Sequence, residues 1–209
     1  MNKNIKSNLF IIGVLLFLGL ISTLLNTFTY IERRIFGILI SVIEVLVVLV
    51  LAKRQNMTLR DMGLRKPIKP IAWVIGFVVA LIPMFLIVIL NSGNLEVMFP
   101  QKVSLTICVI QTIYYFVIVA PTEEIIFRGF ILENFNKSFT ENMSILLTSF
   151  LFAFIHIFNG SIMNIVMAFI ISVLYCKVKL LSHNHSLYPC MIGHAFNDSL
   201  NQWLPYFLL

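Results

Sequence analysis

Ala120-Pro121-Thr122-Glu123-Glu124-Ile125-Ile126-Phe127-Arg128-Gly129-Phe130 sets two adjacent carboxylates and an arginine inside a sequence otherwise built to live in lipid. Each such group costs roughly 2.5–3.5 kcal/mol at the centre of a membrane helix on insertion scales. Groups kept at that cost point to a site. Working outward from them, the 209 residues are 59% hydrophobic and 11% charged, with a mean hydropathy of +0.96. A soluble domain is about 45–50% apolar and about 25% charged. The composition therefore predicts an all-α, polytopic transmembrane helical bundle, read as a single integral membrane domain over residues 1–209.

Apolar runs extend from about Leu9 to Phe28, Ile35 to Ala52, Ile71 to Leu90, Val103 to Ala120, Met143 to Phe158, Ile162 to Leu181 and Leu187 to Leu209. A bilayer span needs about 20 such residues, so about seven spans are expected, with six or eight as the bounds. The first run follows a short basic start, as a signal peptide would, but no A-x-A-like cleavage site follows it, and it is read as a retained helix. Pro83 interrupts the third run and is a candidate kink. Glu44 sits in the middle of the second run with no partner visible in the sequence. Cys108, Cys176 and Cys190 are scattered, fit no metal or disulfide spacing, and are read as packing residues.

The net charge of +6 is placed between the apolar runs, so it reads as a topology signal and not as a nucleic-acid surface. Residues 53–70 form the one substantial loop, with Lys53, Arg54, Arg60, Arg65, Lys66 and Lys69 against Asp61. With the N-terminus placed in the cytoplasm, the inside set of Lys3, Lys6, these six, Lys137, Lys177 and Lys179 outnumbers Arg33, Arg34 and Lys102 outside. That asymmetry favours an N-in orientation, and the basic loop is expected to touch anionic lipid. The expected surroundings are the lipid bilayer, with no nucleic-acid partner.

Within a helix over residues 121–134, Glu124 and Arg128 are four apart and share a face, with the acid first, the better order for such a pair. Glu124 is thereby read as a structural partner of Arg128, and Glu123 is left one position round the helix without a local cation. A desolvated carboxylate of that kind suits a general base. The alternative is a helix start, with Pro121 in the first turn and Thr122, Glu123 and Glu124 at the positive end of the dipole. It does not account for Arg128 between Phe127 and Phe130. In the fifth run His156 is the one strongly polar side chain between Phe150 and Phe158. In the seventh, His194 and Asp198 are four apart on one face. Such a pair can bind a metal, fix an imidazole tautomer or hold helices together. If the three helices pack together, Glu123, His156, His194 and Asp198 converge on one polar cavity. A carboxylate and two imidazoles around a water are equipment for hydrolysis. Two histidines with a carboxylate are equally compatible with a zinc site.

Glu123-Glu124-x-x-x-Arg128, Phe152-x-x-x-His156 and His194-x-x-x-Asp198 resemble, in order, the three motifs of the CPBP (CAAX protease and bacteriocin-processing, or Abi) family of intramembrane proteases, which resemble type II CAAX prenyl endopeptidases. The resemblance covers about residues 115–200, the expected catalytic core. Leu59-Arg60-Asp61-Met62-Gly63-Leu64-Arg65 is also similar to a segment of bacterial members. The resemblance implies that Glu123 activates water, that His156 helps hold it, that Glu124 and Arg128 form a structural pair, and that His194 stabilises the oxyanion or binds metal. The last motif position is Asn in eukaryotic members and Asp198 here. An ionised Asp cannot donate to an oxyanion, so Asp198 is protonated, orients His194 or ligates a metal. The implied cofactor is either none or one divalent metal, zinc first, held by His156, His194, Asp198 and Glu123.

The expected function is hydrolysis of a peptide bond in a membrane-associated peptide or protein. The Lys-, Asn- and Ile-rich chain looks like a product of a low-GC Gram-positive bacterium, in its plasma membrane. Peptide pheromones, bacteriocin leaders and small membrane proteins are the substrates considered. Two other classes are weighed beside it: a non-catalytic scaffold or bacteriocin-immunity protein, and an ion or proton pathway, which would use Glu44. One geometric condition attaches to all of this. At about 1.5 Å per residue, His156 lies about 20 Å and His194 about 10 Å from the starts of their runs. The motifs therefore meet only if the helices are staggered or tilted, or if residues 121–142 re-enter the membrane.

Overall fold

The computed structural model describes residues 3–24, 28–67, 69–90, 103–159, 162–182 and 184–208. Among these residues there are seven helices and no strand. They are α1 (Lys3–Leu24), α2 (Tyr30–Arg54), α3 (Ile71–Leu90), α4 (Leu105–Asn136), α5 (Glu141–Ile155), α6 (Ile162–Leu181) and α7 (Tyr188–Leu208). Four of them, α1, α2, α4 and α6, are long and apolar enough to cross a membrane, and α3 and α5 carry shorter apolar stretches. The chain is an integral membrane helical bundle. Large apolar side chains such as Phe17, Phe85 and Ile162 point outward. In water they would form an anomalous surface, whereas in lipid they face their own solvent.

The helix bounds refine the sequence reading. Helix α2 starts five residues early because Thr29 and Glu32 close a capping box: the Glu32 amide donates to Thr29 Oγ1 and the Thr29 amide to Glu32 Oε2. Arg33 and Arg34 therefore belong to the helix and not to a loop. The loop expected over residues 91–102, with Lys102, lies outside the described residues. Helix α4 runs on to Asn136, and α5 begins at Glu141.

Pro121 also does not start a helix, because it lies in the middle of α4. The reason is local. Tyr115–Val119 is π-helical, and the Ala120 amide donates to Tyr115 O, five residues back. A proline in a regular α-helix lacks a needed N–H and collides with the carbonyl four residues before it. The wider π turn ahead of Pro121 relieves both demands. A second π stretch, Ile125–Ile131, carries Arg128. Single π turns inside α-helices concentrate at functional sites, and here they flank Glu123 and Glu124.

Packing around α4 uses close backbone approach. A Cβ on Gly193 of α7 would meet the Gly76 carbonyl of α3, and one on Gly76 would meet Pro189. Small residues at crossings are how membrane helices gain packing without a hydrophobic drive. Between α5 and α6, Ser144, Thr148, Ser149 and Ser172 are fully buried. Helix α1 is fixed to α4 by Asn8, whose Nδ2 donates to Ile131 O at 3.2 Å and whose Oδ1 accepts from Asn134 at 3.1 Å.

The basic loop after α2 is folded onto the bundle. Thr58 and Asp61 cap a single turn: the Thr58 amide and hydroxyl donate to Asp61 Oδ2 at 2.8 and 2.7 Å. These two bonds hold the Asp61 carboxyl below its usual range. The turn buries Met62 completely and ends at Gly63, whose φ of +93° suits glycine. The Gly63 carbonyl accepts from the Leu187 amide at 2.8 Å, and Met62 lies against Gly129 of α4. The loop thereby ties the entry of α7 to the helix that carries the acidic pair.

Candidate active site

Helix α4 places Glu123 and Glu124 about 100° apart around its axis, and the two carboxylates enter different surroundings. Glu124 points into the core. Its Oε1 accepts from Arg128 Nη1 at 3.0 Å and from His194 Nδ1 at 2.8 Å. Glu124 and Arg128 are both fully buried. The Arg128 guanidinium lies 4.5 Å from the Phe152 ring centre and 5.9 Å from that of Tyr175. Aromatic faces take the place of water around a cation that the bundle has desolvated.

Glu123 is turned the other way, with 24% of its side chain exposed. Its Oε2 lies 3.7 Å from His194 Nε2, and Asp198 Oδ2 lies 3.6 Å from the same nitrogen. Its own helix leaves Glu123 without a local cation, and α7 brings an imidazole to it. His194 is held from both sides. Because the Glu124 carboxylate accepts at Nδ1, that nitrogen carries a proton and Nε2 faces Glu123 and Asp198. The ring stacks on Tyr175, with centres 5.7 Å apart and planes at 21°.

His156 is placed beside this cluster and not within it. Helix α5 ends at Ile155, and His156 opens a 3₁₀ turn through Asn159. Its Nδ1 donates to Phe152 O at 2.7 Å. The Phe152 ring lies 4.7 Å from that of His156 and 6.1 Å from that of His194, so Phe152 packs against both imidazoles. The stagger allows the motifs to meet, since α5 delivers His156 from its C-terminal end and α7 delivers His194 from its second turn. Asn197 donates to Asp198 Oδ1 at 3.2 Å.

The carboxylates of Glu123, Glu124 and Asp198 are drawn to the His194 ring, and among the described residues no group of three or more His, Cys, Asp or Glu has the arrangement that a metal ion needs.

The sequence reading missed two features. Lys179, counted there as a topology anchor, is fully buried and pairs with Glu133, and it also donates to Arg128 O at 2.6 Å. The polar network thus runs from His194 through Glu124 and Arg128 to Lys179 and Glu133. The second feature is a cavity of about 350 Å³ between α1, α2 and α4. Glu123 and Thr122 line it from α4, and Arg34, Ser41 and Glu44 line it from α2. Glu44, which has no partner in the sequence, therefore faces the same space as Glu123. A signal was present: Arg34, Gly37, Ser41 and Glu44 follow one another by three, four and three residues, which is one helix face.

With the geometry in place, comparison with known proteins gives one answer. Residues 105–200 match the family Type II CAAX prenyl endopeptidase Rce1-like. The Rce1-like segment runs from the start of α4 into α7 and contains Glu123, Glu124, Arg128, His156, His194 and Asp198. It supports intramembrane protease activity of the CAAX endopeptidase kind. Helices α1 to α3, with Arg34 and Glu44, lie outside it. Neither the search of curated proteins nor that of solved structures returned a match.

Proposed function

We propose that this chain hydrolyses a peptide bond in a membrane-associated peptide or protein, with Glu123 as general base. One observation carries the reading: Glu123 is the carboxylate that both approaches His194 and lines the cavity. A substrate in that cavity meets Glu123 before any other member of the cluster. The Rce1-like segment supports the reaction class.

In this mechanism a water oxygen attacks the peptide carbonyl carbon while Glu123 takes one of its protons. His156, with Nδ1–H donated to Phe152 O, accepts from the water at Nε2 and orients it. The carbonyl electron pair moves onto oxygen. His194, surrounded by the carboxylates of Glu123, Glu124 and Asp198, donates to that oxyanion from Nε2 in its cationic form. When the C–N bond breaks, the electron pair stays on nitrogen and Glu123 returns the proton to the leaving amine. Asp198 orients His194 and does not itself donate. Glu124 and Arg128 hold the imidazole in place. No step is routed through a metal. The positive-inside asymmetry, which survives the removal of the buried Lys179 from the count, supports an N-terminus on the cytoplasmic face of the membrane.

The test is cleavage of membrane-tethered peptides in proteoliposomes, with and without a strong chelator. Loss of cleavage in Glu123→Gln, with wild type indifferent to chelator, is the expected outcome. Loss in wild type on chelation with recovery on zinc would overturn this mechanism, and full activity in Glu123→Gln would overturn the assignment of the base.

A further inference from the structure

The cavity has a cationic end as well as an acidic one. The Arg34 guanidinium lies 5.1 Å from the Tyr30 ring centre and 4.8 Å from that of Tyr114. It is held there by neutral rings, since no carboxylate of the described residues stands within ion-pair distance. Its Nε is buried and has no hydrogen-bond partner. Arg34 nevertheless lines the same cavity as Glu123. Elsewhere in the bundle the buried cations are matched: Arg128 has Glu124, and Lys179 has Glu133. Among the described residues, Arg34 is a cation held between two rings at an open cavity with no anion within ion-pair distance.

Such a group is complementary to a carboxylate. Guanidinium presents a planar fork that a carboxylate meets with two parallel hydrogen bonds, and the Tyr30 and Tyr114 rings hold the group in place before any ligand arrives. The spacing sets a register. Tyr114, which carries the guanidinium, precedes Glu123 by nine residues on α4, about 13 Å at 1.5 Å per residue. Glu44, on the Glu123 side of the cavity, follows Arg34 by ten residues on α2, about 15 Å. An extended peptide covers about 3.3–3.6 Å per residue. Both helices therefore separate the cation from the base by about four extended residues.

The geometry points to Arg34 as a specificity-determining residue that binds a substrate carboxylate about four residues from the bond that Glu123 attacks. This rests on the protease reading for the word substrate, and on the cavity alone for the binding. The carboxylate is supplied either by a peptide's free C-terminus or by an Asp or Glu side chain.

The experiment compares three membrane-tethered peptides in proteoliposomes. One has a free carboxylate four residues beyond the cleaved bond, one has the same terminus amidated, and one is amidated with Glu at that fourth position. The readout is the kcat/KM ratio of each carboxylate peptide to the plain amide, taken within one preparation, so that loss of folded protein cancels. Wild type is expected to prefer a carboxylate by about 10- to 100-fold, the range for a hydrogen-bonded charge. The ratio is expected to fall to about one in Arg34→Gln and to an intermediate value in Arg34→Lys, which keeps the charge but loses the fork. Preference for the terminus alone or for the Glu peptide as well tells which source is used. A wild-type ratio near one, or a ratio that survives Arg34→Gln, overturns the proposal. Binding of the same peptides, labelled with a fluorophore, to the Glu123→Gln protein with and without Arg34→Gln gives the second arm. It reads the anchor even where nothing is cleaved, so failure of the protease reading and failure of the anchor are distinguishable. Equal binding of carboxylate and amide in that arm overturns the anchor.

Discussion

Glu123 and Glu124 are the same side chain at neighbouring positions of one helix, and the bundle makes them opposites. Glu124 is sealed, and it accepts from two nitrogens, one of Arg128 and one of His194. Glu123 is a quarter exposed, lies only within ion-pair distance of His194, and opens onto a cavity. The difference teaches that access to water, not residue type, separates a structural carboxylate from a reactive one. Glu124 is sealed in the core with one oxygen tied to Arg128 and His194, whereas the partly exposed Glu123 can meet the water whose proton it takes.

The contrast breaks most visibly under paired substitution. Glu123→Gln is expected to cut cleavage by about 10²–10⁴-fold, the usual contribution of a positioned base, with the unfolding midpoint in detergent near that of wild type. Glu124→Gln is expected to act on stability first, because it leaves Arg128 buried without its counter-charge. Breaking such a pair costs about 3–5 kcal/mol, measurable by denaturant titration in mixed micelles. If the Glu124→Gln protein is as stable as wild type, the two carboxylates are not divided as argued. Glu124→Leu together with Arg128→Met sharpens the point. Removing both charges is expected to recover much of that stability, while activity stays low because His194 has lost the acceptor for its Nδ1–H.

Smaller effects test what holds the contrast in place. Gly193→Val would push α7 from α3 at the Gly76 carbonyl, at about 1–3 kcal/mol for overpacking, and would move His194 one residue away. Stability and kcat are expected to fall together. The smallest effect concerns the loop turn. The Asp61 carboxyl is depressed in the folded chain, so its contribution is present above the unfolded value of about 3.9 and is lost as pH falls through the lower folded value. Melting curves of wild type and Asp61→Asn are expected to differ at neutral pH and to converge in that acid window, by a modest amount because the group is exposed. Divergence on acidification would contradict the assigned cap.

Much of this was legible in the chain. The runs and their lengths predict the helices, since backbone polar groups in lipid leave little choice but the helix. The i, i+4 spacing places Arg128 beside Glu124, and the three motifs mark the segment that carries the site. The reading failed where a side chain's fate depends on a distant helix. Lys179 reads as a topology anchor because nothing near it in sequence is acidic, but Glu133 reaches it from α4. The π turn that lets Pro121 sit inside α4 is not visible in residue types. Glu44 and Arg34 read as an isolated acid and a loop cation until α4 folds against their shared face.

The sequence by itself determined that this protein is a helical membrane bundle with an acidic pair, two histidines and an aspartate on three of its helices. Helical periodicity and the cost of charge in lipid are local properties, and they suffice for that. Only the tertiary structure decided which carboxylate is sealed and which is open, that His194 rather than His156 meets both, and that Arg34 faces the same cavity as Glu123. Those are contacts between residues far apart along the chain. They are set by how close Gly76 and Gly193 let α3 and α7 approach, by the π turns that rotate α4, and by the loop that ties α7 to it.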